Sequence, residues 1–169
     1  MHQVLRLSVT AFAVVALSYL GGLVSAQGPV KQIKLAEKQV QSFISAHKDM
    51  AEAFDKIAAE KSEAAAQGQL DSIAKKFGFK DHSEYDEVAT NIAMVMFGID
   101  PQTKEFTDPP TLAKKELDDA MADKTLPEKE RKQLVDELTE QLKTVQPIMH
   151  PGNVELVKKY YDKLEPLLQ

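Results

Sequence analysis

The chain has 169 residues, 43% of them hydrophobic, a formal net charge of −5 and no cysteine. That length suits one domain with a real core. Without cysteine it can form no disulfide, thiolate metal site or covalently attached c-type haem, and its acidic balance leaves no basic face for nucleic acid.

Residues 1–26 begin with one charged side chain, Arg6, and an apolar stretch from Leu7 to Leu20. Gly21 and Gly22 follow, then the small residues of Val24-Ser25-Ala26. This order predicts a secretory signal peptide cleaved after Ala26. The competing reading is an uncleaved anchor, since Leu7–Ala26 could just span a bilayer; the glycine pair and small-residue site favour cleavage. The mature segment, residues 27–169, is then expected in the periplasm or outside the cell. It carries −6, because Arg6 is removed and no acidic residue is. Its later apolar runs are too short to span a bilayer, so it is not expected to be membrane-embedded.

Residues 27–67 are predicted as one long helix. Ile33, Val40, His47, Phe54 and Lys61 recur every seven residues, with Ala36, Phe43, Met50, Ile57 and Ala64 interleaved. The flanking Ile44, Ala46, Ala51, Ala53 and Ala58 broaden the stripe, as expected for a helix facing a globular core. The alanines would also admit a second copy, making a homo-oligomer through this helix a secondary expectation.

Gly68 is read as a break, and residues 68–97 as a helical hairpin. Leu70, Ile73, Ala74 and Phe77 share a face, and Gly78 stands at a C-cap position. Asp81 and Glu84 form a capping-box pattern, and Gly98 stops the next helix. Residues 98–111, with three prolines, read as a loop.

C-terminal helices are predicted over residues 112–169. The first carries Leu112, Leu117, Ala120 and Met121; Thr125, Pro127 and Glu128 promise a capped start for the second, with Leu134, Leu138, Leu142 and Val145. Pro147 ends it, and Asn153 is read as the cap of a last helix carrying Val154, Val157, Tyr161 and Leu164. The expected fold is all-α: a single domain, a five- to six-helix bundle with one long N-terminal helix.

His47 and Met50 lie one turn apart on the apolar stripe of the first helix. A histidine there could be a metal ligand or a pH-sensitive group, although a core histidine with one hydrogen-bond partner is the commoner case. Ile92, Met94, Met96 and Phe97 belong to IAMVMF, which is apolar on every side of its helix. Thioether and imidazole together would suit copper(I). Against this, Met94 and Met96 are two apart and diverge on a helix, and methionine often fills gaps in cores. The patch is therefore expected to be core on one side, through Ile92 and Met96. On the other, Met94 and Phe97 are to be covered by later helices or by a partner.

Paired acids such as Asp118/Asp119 and Asp136/Glu137/Glu140 sit among lysines, as solvated faces do. No GxSxG or glycine-rich phosphate loop is present. A calcium loop from Asp81 fails because Asp86 takes the place of its sixth-position glycine.

Two exported all-α types have a similar size. Secreted chorismate mutases hold a dicarboxylate with several arginines, whereas only Arg131 follows the signal segment. Spy-type chaperones carry LTxxQ signatures; LTEQL at Leu138–Leu142 places glutamine one position early. Neither family is assigned.

The sequence thus points to a small exported helical binding protein without catalytic activity, its partner a protein or an apolar ligand. The alternative is a periplasmic metal- or haem-binding bundle using His47 and the methionines, and an enzyme of unknown type comes third. No catalytic residue, metal set or cofactor is predicted. The candidate binding residues are His47, Met50, Ile92, Met94, Met96 and Phe97.

Overall fold

The computed structural model describes residues 30–59 and 63–168; the expected signal peptide lies outside them. Seven α-helices follow in order among the described residues: α1 (Glu37–Ala59), α2 (Glu63–Lys76), α3 (His82–Phe97), α4 (Pro109–Ala122), α5 (Glu128–Thr144), α6 (Pro151–Lys159) and α7 (Tyr161–Leu164). A 3-10 turn, Glu165–Leu167, closes the series. The only β feature among these residues is an isolated antiparallel bridge between Ile99 and Phe106. No described helix is long and apolar enough to cross a membrane.

The expected single helix over residues 27–67 is not what forms. Residues 30–36 are non-helical, and α1 ends at Ala59. Helix α2 folds back on α1, with Lys76 bound to Asp49 at 2.7 Å, and Gly68 lies inside α2 rather than at a break. Beyond Ile57 the α1 stripe would continue only in alanines and a lysine, so extension buries little. Turning back instead buries Leu70 and Ala74 in the core that holds Ala46 and Ala53. The breadth of the stripe is used as expected, with Val40, Phe43, Ala46, Met50 and Ala53 all buried.

Gly78 ends the α2 segment with φ +90, in the left-handed region. The Phe79 amide donates to the Ala74 carbonyl at 3.0 Å and the Gly78 amide to Lys75 at 3.1 Å, the two bonds of a Schellman cap. Its apolar partner Phe79 is buried. Asp81 caps α3, its carboxylate accepting from the Glu84 amide at 3.0 Å. Glu84 reaches back to the Lys80 amide at 2.7 Å, one residue earlier than the standard box. Gly98 has an ordinary φ, and its role is close approach. A Cβ there would sit 2.6 Å from the Thr107 carbonyl oxygen, where the 98–108 loop crosses.

Two expected caps are corrected. Thr125 does not cap α5, because its hydroxyl and amide both donate to Asp123, at 2.6 and 2.7 Å, and Pro127 takes the cap position. Asn153 does not cap the last helix either. It lies in the first turn of α6, buried, with His150 at the cap. Its amide is engaged elsewhere, as described below.

The core joins α1, α2, α3, α6 and α7, with Phe43, Met50, Ile92 and Leu164 among its largest fully buried side chains. No residue of α4 or α5 enters it. These two helices pack on each other as a hairpin whose buried residues are Pro109, Ala113, Ala120 and Leu138. At its base the Asp108 carboxylate, which does not cap α4, accepts from the Ile148 amide at 3.0 Å.

Candidate functional site

The candidate residues separate. Met50 and Ile92 are fully buried. Met96 is half-buried against the same core, and Met94 is half-buried. Phe97 stands 47% exposed at the C-terminal end of α3. The IAMVMF patch is therefore not enclosed on both sides among the described residues. Its second side narrows to half-buried Met94 and ends at exposed Phe97.

His47 sits half-buried, its ring 5.6 Å from Phe43 in an edge-on arrangement. Its Nδ1 is buried without a hydrogen-bond partner, and burial holds its pKa below the usual histidine value. The rings continue from there: Phe43 stacks on Tyr85 at 5.4 Å, Tyr85 on His82 at 6.2 Å, and Phe54 meets His82 at 5.6 Å. Burial, and next the Asp86 charge, push the Tyr85 hydroxyl up.

His82 and Asp86 are not among the pairs expected from the sequence. Their i, i+4 spacing places them side by side on α3, His82 Nε2 lying 3.3 Å from Asp86 Oδ1. The two atoms are within ion-pair distance but not aligned for a hydrogen bond, and neither has another partner. Burial raises the Asp86 pKa, against the opposing influence of His82. The His82 amide is tied to α2 by Asp71, which accepts from it at 3.0 Å. Shifted carboxylates beside a histidine can mark catalysis. Here the neighbours are aromatic rings, and no group of three or more metal-binding side chains occurs among the described residues. An open groove of about 240 Å³ between α1 and α2 is lined by Asp49, Glu52, Ala53, Lys56, Gln69 and Ile73, a mostly polar surface.

The most elaborate polar construction holds residues 31–35, an extended strap lying between α3 and α6. Asn91 and Asn153 are each 2% exposed. Asn91 Oδ1 accepts from the Ile33 amide at 3.0 Å, and its Nδ2 donates to the carbonyls of Lys31 and Glu87 at 3.1 and 2.8 Å. Asn153 repeats the grip two residues on: Oδ1 accepts from the Leu35 amide at 2.9 Å, and Nδ2 donates to the Ile33 carbonyl at 2.8 Å. Two side-chain amides thus stand in for a neighbouring β-strand along one edge. Fixed backbone donors and acceptors dictate which end of each amide faces which group. At the rim, Gln32 donates to the Pro147 carbonyl and accepts from the Met149 amide, each at 2.8 Å. Lys31 pairs with Glu87 at 2.7 Å. Leu35 is buried, and Ile33 packs partly against the core. The sequence held one signal of this: Ile33 and Leu35 alternate with polar Gln32 and Lys34. The heptad stripe that also runs through Ile33 masked it.

Compared with known protein families, with curated proteins and with solved structures, the chain shows no significant match to any of the three.

Proposed function

We propose that the chain is a small exported helical protein that acts by binding another protein, with no chemistry of its own. The observation that carries this reading is Phe97, a large aromatic 47% exposed on the same helix as Ile92 and Val95 of the core. Aromatic side chains on a rigid element are favoured anchors at protein interfaces. Met121 on α4 and Met149 before α6 are also exposed, at 52% and 68%. Export rests on the signal-peptide pattern of residues 1–26.

The test is a photo-crosslinking residue at Phe97 in the producing cell, with exposed Gln133 as the control position. A discrete adduct at position 97, absent at 133, is expected. Equal or absent labelling at both positions would sink the interface reading. Intact mass of the exported protein should begin at Gln27.

The second reading, a metal- or haem-binding bundle, draws on the unpartnered Nδ1 of His47. A ligated protein would show a Soret band or stoichiometric metal, lost in His47→Leu.

A further inference from the structure

The strap and its receptor are separable in chemical terms. The cradle reads four main-chain groups in a row: the carbonyls of Lys31 and Ile33, and the amides of Ile33 and Leu35. None of these bonds depends on the identity of a strap side chain. Specificity comes from three others: Lys31 against Glu87, and the apolar Ile33 and Leu35 against the core. Backbone pairing for affinity with alternate side chains for selectivity is how extended peptides are recognised at sheet edges. Here helices α3 and α6 supply the edge.

Resting on the protein-binding reading above, we propose that this cradle is an extended-peptide site. The strap occupies it in the free protein, and an extended segment of the partner protein takes its place. That segment carries apolar side chains at alternate positions and a lysine or arginine two residues before the first of them. The exchange is like for like. The incoming backbone satisfies Asn91 and Asn153 as the strap did, so no buried amide is left unpaired. Its apolar side chains refill the positions of Ile33 and Leu35. At the strap's outer end the side chains stand in water, Val30 42% exposed and Lys31 72% exposed, so the bond from Asn91 to the Lys31 carbonyl and the Lys31–Glu87 pair are the first contacts to be broken. The strap competes as a tethered ligand, at an effective concentration on the order of millimolar.

The probe is a fluorescein-labelled heptapeptide with the sequence of residues 30–36, Val-Lys-Gln-Ile-Lys-Leu-Ala. It is titrated with the purified protein and followed by anisotropy. Leu35→Ala weakens the tethered competitor, so the peptide should bind that variant at least about tenfold tighter than the parent protein. A control peptide with aspartate in place of its isoleucine and leucine should not bind. If Leu35→Ala lacks helical circular dichroism, Gln32→Ala replaces it, since it loosens the strap only at the rim; a gain of about threefold is then expected. Equal binding of both peptides, or no gain in the folded strap variant, overturns the proposal. Adducts at Phe97 without peptide uptake would refute the cradle and leave the binding reading standing. No discrete adduct together with peptide uptake would refute the Phe97 interface and leave the cradle standing.

Discussion

The helical body and the α4–α5 hairpin are built from similar material and held together very differently. In the body, Val40, Phe43, Met50, Val88, Ile92, Val95, Val157 and Leu164 are all sealed from water. In the hairpin the one large aliphatic side chain that is buried is Leu138, while Leu134 and Met121 remain exposed. Neither α4 nor α5 has a side-chain hydrogen bond at its N-cap, whereas α3 has one through Asp81. Most helical stability in proteins comes from packing a stripe against something. The two regions differ in what their apolar faces meet: a large shared core in the body, and chiefly each other in the hairpin. An element with so few buried contacts is expected to open before the rest.

The comparison breaks most visibly at the core. Ile92→Ala should cost about 2–5 kcal/mol, measured by urea unfolding, and helical signal from both regions should be affected. Leu138→Ala should instead speed hydrogen exchange in α4 and α5 while α1 and α3 stay protected. Equal exchange in all four helices would show that hairpin and body unfold as one unit.

The strap gives a smaller effect. Asn153→Ala leaves the buried Leu35 amide unpaired, at about 1–3 kcal/mol, while the Ile33 carbonyl, only part-buried, is open to water in its place. Loss of protection confined to residues 31–35 and α6 would place that cost in the body. A variant as stable as the parent would mean that water replaces the amide.

His47 gives the smallest change, and its sign can be worked out. Burial holds its folded pKa below the usual 6.5. The unfolded chain therefore takes up a proton that the folded protein resists. The stability involved is present above that value and lost as pH falls below it. His47→Leu should narrow the difference in Tm between pH 8 and pH 5, and at pH 8 should cost little, since an unpartnered ring nitrogen goes with it. An unchanged difference would locate the acid sensitivity elsewhere.

The all-helical class was legible because Val40, Phe43, Met50 and Leu138, Leu142 repeat at helical spacing. Gly78 and Asp81 marked their turn correctly because capping is local chemistry. Two things were hidden. The start of α1 was displaced because Asn91 and Asn153, 58 and 118 residues from their partners Ile33 and Leu35, hold the chain extended. No local pattern reports so distant a bond. Likewise Asn153 reads as a cap, since an asparagine before an apolar run resembles one until its amide is claimed from elsewhere. Of the candidate site residues, Ile92 was placed in the core as expected. Phe97 was expected to be covered by later helices or by a partner; the described helices leave it 47% exposed, and which helix covers a residue is set by chain topology, which single-sequence spacing does not carry.

The double asparagine grip also sets an order of events in folding. Lys31–Leu35 leaves the ribosome more than a hundred residues before Asn153, yet the Ile33 carbonyl finds its partner only across 120 positions of chain. Closing a loop of that length costs about 0.6 kcal/mol more than closing one half as long, and the reward arrives only after α3 and α6 exist to present their amides. Pairings of such large sequence separation form slowly. The earliest described segment to be synthesised is thus among the last to be seated. Until it is, Leu35 and the surfaces it covers stay open to solvent, and the nascent chain passes through a stage in which residues 31–35 are an unseated and partly apolar segment.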